Sequence, residues 1–292
     1  MRQDKETLDL IERVRKIEIR TRRLVDSLTA GAYHSAFKGR GIEFDEVREY
    51  AEGDDVRFID WNVTARMQQT YIKQFIEERD LSVYLLMDIS GSMDIQKSSV
   101  AKYQTAIDFG ALISFSAIRN NDRVGLLQFT EKDEQHIKPR KGRRHALRII
   151  RDLLSRERQS RKTNLRKALR SFMQTHKRRA VLFVVSDFID DDYLTELKMV
   201  RQRHDVICIH IQNPNEHTLP GGALVSIKDS ETGKQGGLLS LLGKKLSSGE
   251  ENNIGKQLIN IGLGYVPLTA GEDVIKPLLA FFKKRQMMNS HK

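Results

Sequence analysis

Two apolar runs in the sequence end on an aspartate. LSVYLLMD closes on Asp88, and AVLFVVSD closes on Asp187. The first continues as Asp88-Ile89-Ser90-Gly91-Ser92. In an extended turn alternate residues face the same way, so Asp88, Ser90 and Ser92 can aim their oxygens at one point. Gly91 lets that turn tighten without a steric penalty. Carboxylate and hydroxyl oxygens, with no sulfur or imidazole, suit a hard divalent cation, Mg²⁺ above all. Such a site needs further oxygens from other loops. Asp187 is one candidate, and Thr163, just ahead of LRKALRSFM, is another. With one or two carboxylates as the only charges, the cation stays under-coordinated and can accept a carboxylate from a partner protein. A plainer reading is open at this level, in which Ser90 and Ser92 are turn residues and Asp88 a helix cap.

The elements that must position these residues follow from periodicity. Nearly continuous apolar runs at 81–88, 123–129, 180–187 and 205–211 are what strands covered on both faces look like. Helical segments at 100–118, 145–155, 165–176 and 193–203 separate them. Strands alternating with helices of this length predict an α/β fold with a doubly wound, mostly parallel sheet. Ligands in such sheets sit outside the carboxyl ends of the strands, where both aspartates lie. Ahead of the sheet, Leu8, Ile11, Ile17, Leu24 and Leu28 predict a helix over 5–29. Residues 37–67 read as irregular structure with short strands, and 70–78 as a strand. Possible ion pairs there are Glu43 with Arg48 and Asp55 with Arg57, while Phe58 and Trp61 could anchor a partner. After residue 222 come a weak strand at 223–227, a polar loop near 229–252, a helix near 253–262, a strand at 265–268 and a closing helix at 271–286. The expected division is an N-terminal helix with accessory segment, 1–79, followed by the sheet domain, 80–292.

The chain has 292 residues and a formal net charge of +11, which invites a nucleic-acid reading. The charge is not spread evenly. Residues 138–179 carry 17 Lys or Arg against Asp152 and Glu157, a local +15 that leaves −4 for the rest. Residues 43–60 lean the other way, with eight carboxylates against Arg48 and Arg57. A single cysteine, Cys208, excludes an intramolecular disulfide and points to a reducing compartment. No run approaches the ~18 apolar residues of a membrane span, and the charged N-terminus is no signal peptide, so a cytoplasmic protein is expected. The histidines show no zinc-like spacing, and no Walker A, GxGxxG or GxSxG pattern occurs.

The DISGSM turn, with Thr163 and Asp187 in later loops, resembles the metal-ion-dependent adhesion site of von Willebrand factor A domains. Longer blocks resemble the bacterial domain-of-unknown-function family fifty-eight, von Willebrand A-like proteins associated with MoxR-type AAA+ ATPases. These blocks include GRGIEFDEVREYAEGDDVRFIDWNVTAR (39–66), YIKQFIEERDLSVYLLMDISGSM (71–93), DRVGLLQF (122–129), KPRKGRRHALRII (138–150), KTNL (162–165) and VSDFID (185–190). The resemblance implies a von Willebrand A fold and a divalent cation held by Asp88, Ser90, Ser92, Thr163 and Asp187. It also implies protein binding rather than catalysis, beside a MoxR-type ATPase in chaperone-like assembly or metal insertion. Two departures stand out. Many members carry N-terminal transmembrane helices, which this sequence lacks, and the threonine turn here reads SRKTNL, with Lys162 beside the expected ligand.

Two other function classes compete. A haloacid-dehalogenase-like phosphohydrolase would also place an aspartate after the first strand and bind Mg²⁺, using later acids such as Asp187, Asp190 and Asp191. That chemistry wants a second acid two residues on, where this chain has Ser90. Nucleic-acid binding through 138–179 lacks an aromatic-interleaved basic stretch. Because Thr163 lies inside the basic block, the favoured partner is a protein with an acidic surface.

Overall fold

Among the described residues before 81, the expected strand at 70–78 pairs with one at 42–49, and a 3-10 turn and a short helix lie between them. The computed structural model describes residues 12, 14–16, 18, 42–77, 81–94, 102–155, 160–190, 192–213, 227–228, 235–236 and 249–290. They fall in two compact units, one spanning Phe37–Leu81 and the other Met1–Ala36 with Ser82–Lys292. In the smaller unit β1 (Ile42–Glu49) pairs antiparallel with β2 (Tyr71–Glu77). A register shift between Phe44 and Glu46 moves the apolar positions from Ile42 and Phe44 to Val47, which hides the strand period in the sequence. Helix α1 (Trp61–Met67) follows a 3-10 turn at Val56–Phe58, and the Asp60 side chain caps it by accepting from the Asn62 and Val63 N–H groups. Asp55 pairs with Arg57 as expected. Arg48 forms a bidentate pair with Asp54, whose carboxylate also accepts the Ala51 N–H, so the loop closes on itself.

The larger unit carries β3 (Ser82–Asp88), α2 (Lys102–Arg119), β4 (Arg123–Phe129), β5 (Asp133–Arg140), α3 (Arg143–Ser155) and α4 (Leu165–Thr175). Then come β6 (Val181–Ser186), α5 (Leu194–Arg203), β7 (Asp205–Gln212), the short antiparallel pair β8 (Ile227–Lys228) and β9 (Gln235–Gly236), α6 (Gly249–Asn260), β10 (Gly264–Thr269) and α7 (Ile275–Ser290). The sheet order is β10-β7-β6-β3-β4-β5. The first five strands are parallel, and β5 runs antiparallel at the edge. Sequence reading missed β5, because DEQHIKPR offers only Ile137 as an apolar residue and Pro139 suits an edge. The expected helix over 5–29 lies mostly outside the described residues, though 12, 14–16 and 18 are helical. The expected strand at 223–227 and most of the loop at 229–252 also lie outside them.

The continuous apolar runs are explained by burial on both faces. Tyr84 and Leu86 of β3 join Leu169 and Phe172 of α4, Leu197 of α5 and Leu258 of α6 in one core cluster. Leu85 and Met87 face α2 at Gly110, where an added Cβ would stand 2.9 Å from Leu153 of α3. Cys208 is wholly buried in β7, as its apolar neighbours suggest, and burial pushes its thiol pKa up. The chain leaves β3 towards β4 on one side and returns to β6 on the other. The topological switch point therefore lies at the carboxyl ends of β3 and β6.

Three histidines gather around Phe172 and Tyr84. His176 stacks edge-on against Tyr84 with ring centroids 4.6 Å apart, and His204 meets Phe172 at 5.0 Å. Tyr84 also faces His136 at 6.1 Å. His204 is buried, and neither of its ring nitrogens has a hydrogen-bond partner among the described residues. Burial, with smaller contributions from His176, Arg203 and Arg179, depresses its pKa from 6.5 to about 4. A denatured chain takes up this proton near pH 6.5 while the folded chain resists it. The contribution to stability is therefore complete above pH 6.5 and lost as pH falls towards 4, by at most about 3 kcal/mol. In urea denaturation, His204→Leu should flatten the decline of stability between pH 6.5 and 4.5. An unchanged slope would contradict this assignment.

Candidate metal centre

Asp88 ends β3 and Ser186 ends β6, so the two parallel strands deliver Asp88 and Asp187 to the same edge of the sheet. Asp88, Ser90, Ser92 and Asp187 are all buried, and Thr163 is half-buried. The DISGS turn is tight. The Ser90 N–H donates to Asp88 Oδ1 at 2.9 Å, and the Ser90 and Ser92 hydroxyls lie 3.0 Å apart. A 3-10 turn at Gly91–Asp94 follows.

The loop carrying Thr163 is stitched to this turn through its backbone. The Gly91 N–H donates to the Arg161 carbonyl at 2.6 Å, Glu131 N–H to Lys162 O at 2.8 Å, and Asn164 N–H to Thr130 O at 3.2 Å. These bonds hold the Thr163 hydroxyl where it donates to Asp88 Oδ2 at 3.3 Å. Asn164 then caps α4 by accepting the Lys167 N–H at 2.8 Å. The Lys162 side chain is exposed.

Asp187 is fixed from both sides. The Ser186 hydroxyl donates to Asp88 Oδ2 at 2.7 Å and accepts the Phe188 N–H at 3.0 Å, linking the two strand ends. Phe188 adopts a left-handed conformation, φ 55°, which a bulky residue holds only when its surroundings compel it. Here it is buried against Tyr193 and His210, with ring centroids 5.7 Å away in each case. Asp187 Oδ1 accepts the Ile189 N–H at 3.3 Å. Its Oδ2 accepts from the Lys102 ammonium at 3.0 Å, with the two side chains 2% and 1% exposed.

The electrostatics follow from burial. Removal from water raises the pKa of Asp88, and the charge of Asp187 raises it further; hydrogen bonds from Ser90 and Ser186 act in the opposite direction. All five candidate ligands offer oxygen, two of them as carboxylates, so the donor set fits a hard divalent cation. Among the described residues no group of three or more His, Cys, Asp and Glu side chains forms a rival site. Hydrogen bonds join Asp88, Ser90, Ser92 and Thr163 in one cluster, while the Asp187 carboxylate bonds Lys102 and the Ile189 N–H and acts on Asp88 through its charge.

Sequence reading misses Ser186 and Lys102 near this cluster, and offers Asp190 only as a later acid of a phosphohydrolase. Ser186 looks like the last residue of an apolar strand. Asp190 accepts the Leu165 N–H at 2.6 Å and so ties the loop after β6 to the first turn of α4. Lys102 shares a helical stripe with Ala106, Phe109 and Ile113, all buried, and a charge on such a stripe signals a buried counter-charge.

A doubly wound sheet in this order, with acid and hydroxyl groups at its switch point, is a fold of von Willebrand A type. The chain belongs to the family Protein of unknown function DUF58, which matches residues 46–239. Uncharacterized protein Rv1480 of Mycobacterium tuberculosis (strain ATCC 25618 / H37Rv) is 28% identical over 236 residues, covering 80% of this chain and 74% of the relative. Among solved structures, the conserved hypothetical protein BatB from Bacteroides thetaiotaomicron is similar at 15% identity and a TM-score of 0.47, over 71% of this chain and 99% of that one. The SpRpn10 VWA domain is similar at 12% identity and a TM-score of 0.38, over 68% and 93%. No helix among the described residues is long and apolar enough to cross a membrane.

The Ser186 hydroxyl makes two buried hydrogen bonds, one of them to a carboxylate. Ser186→Ala should cost about 1–3 kcal/mol in chemical denaturation. A loss below about 0.5 kcal/mol, the scale of an ordinary surface change, would show that the hydroxyl does not couple the two strand ends.

Proposed function

We propose that this protein is a non-enzymatic, metal-dependent protein-binding adaptor that works with a MoxR-type AAA+ ATPase in chaperone-like assembly or metal insertion. The observation that carries the reading is the buried oxygen cluster at the switch point, with Asp88 central to it. Asp88, Ser90, Ser92, Thr163 and Asp187 would hold Mg²⁺ or a similar ion. When bound, such an ion supplies a Lewis-acidic point of attachment for a carboxylate of the partner. The two protein carboxylates leave coordination to be completed from outside, which favours recognition over turnover.

The surroundings favour an acidic partner. Arg161 and Lys162 directly precede Thr163 and are exposed. At least five of the 17 basic residues in the block are paired within the chain: Arg143 with Glu18, Arg148 and Arg151 with Asp152, and Arg166 and Arg170 with Glu196. Positive charge next to Thr163 would draw an acidic partner towards the site. The phosphohydrolase alternative loses ground. Asp190, which it needs as a later acid, accepts the α4 backbone N–H, and the position two residues after Asp88 holds a serine whose hydroxyl meets Ser92.

Pull-down of a MoxR-type ATPase by the full chain should succeed in Mg²⁺, and should fall at least tenfold in EDTA and with Asp88→Ala. Binding undiminished under both perturbations would refute metal dependence. Mg²⁺-dependent phosphatase turnover abolished by Asp88→Asn would refute the adaptor reading itself.

A further inference from the structure

Among the described residues, the best-buried ammonium of the larger unit pairs with a candidate metal ligand. Lys102 opens α2, is 1% exposed, and places its ammonium 3.0 Å from Asp187 Oδ2. The bond joins residues 85 positions apart, so it depends on the folded sheet and not on local helix geometry. A buried lysine costs free energy to desolvate and needs a specific counter-charge, which Asp187 supplies. Asp88, by contrast, is met by neutral donors: the Ser90 N–H and the hydroxyls of Ser186 and Thr163. The two carboxylates are therefore compensated differently, one by a full positive charge and the other by hydrogen bonds.

This asymmetry bears on any incoming cation. Asp187 Oδ2 cannot serve a divalent ion and the ammonium equally, because two cations drawn to one carboxylate repel each other strongly in a low-dielectric site. We infer that Lys102 is a built-in competitor for the metal centre: it holds Asp187 in place of a divalent ion and must give way before Asp187 can become a ligand. The competition sets the affinity of the site and makes occupancy responsive to the divalent-ion concentration. It also couples occupancy to α2, since withdrawing the ammonium from Asp187 releases that helix's bond to the residue after β6. This inference rests on the metal-binding reading proposed above.

The test is calorimetric titration of the full chain with Mn²⁺, comparing wild type with Lys102→Met, Lys102→Gln, Lys102→Arg and Asp88→Ala. Lys102→Gln keeps a donor for Asp187 without the charge, which protects folding where the methionine variant leaves a buried carboxylate unpaired. The neutral variants should bind Mn²⁺ at least tenfold more tightly than wild type, and the arginine variant should not. Their Tm should fall without Mn²⁺ and recover with it, as the divalent ion replaces the missing charge. If wild type and the neutral variants bind equally, while Asp88→Ala abolishes binding, the role of Lys102 is refuted and the metal site stands. If none of the chains binds Mn²⁺, both the competition and the metal reading fail.

Discussion

Two aspartates are carried out of water on the ends of neighbouring parallel strands, and the surrounding architecture answers the resulting charge problem. Two like charges in a protein interior repel by about 4 kcal/mol at 4 Å and an effective dielectric of 20, before desolvation is counted. The chain meets this with one ammonium at Asp187, and with backbone and hydroxyl donors at Asp88. Each donor has to be delivered by a different element. Lys102 comes from α2, Ser90 from the turn after β3, Thr163 from the loop before α4, and Ser186 from the end of β6. The site is thus a meeting point of four segments distant in sequence.

The described loops around it are tied down by hydrogen bonds. Backbone bonds from Gly91, Glu131 and Asn164 tie the 160–164 segment to the turns after β3 and β4. Asp190 fastens the loop after β6 to α4, and the left-handed Phe188 is held by its buried packing. Oxygens placed this way are pre-arranged, so little conformational freedom is lost when they take up a common task. Arg161 and Lys162, exposed next to Thr163, belong to that stitched segment.

Much of this arrangement is legible in the sequence. Strands buried on both faces write continuous apolar runs, so β3, β4, β6 and β7 and the helices between them can be placed within a few residues. Asp88, Ser90, Ser92 and Asp187 follow from the carboxyl-end rule, and Thr163 from its place before α4. The edge strand β5 is hidden because Ile137 is its lone apolar residue, and β1 because a bulge breaks its alternation. The pairing of Arg48 with Asp54 depends on how a loop closes, which spacing alone does not reveal. Lys102 is the instructive miss. Its position on the stripe of Ala106, Phe109 and Ile113 was visible, but its partner is 85 residues away and becomes evident only when the strands are ordered. The net charge of +11 misleads for a related reason: it comes from one block, residues 138–179 at +15, over a remainder of −4.

The central claim is that the oxygens at the ends of β3 and β6 form a divalent-cation site. Anomalous diffraction from crystals of the full chain grown with Mn²⁺ tests it most directly. The account predicts an anomalous peak in direct contact with the Asp88 carboxylate and the Ser90 and Ser92 hydroxyls. Well-diffracting crystals with Mn²⁺ bound only elsewhere, or with no peak at Asp88 in saturating Mn²⁺, would contradict it.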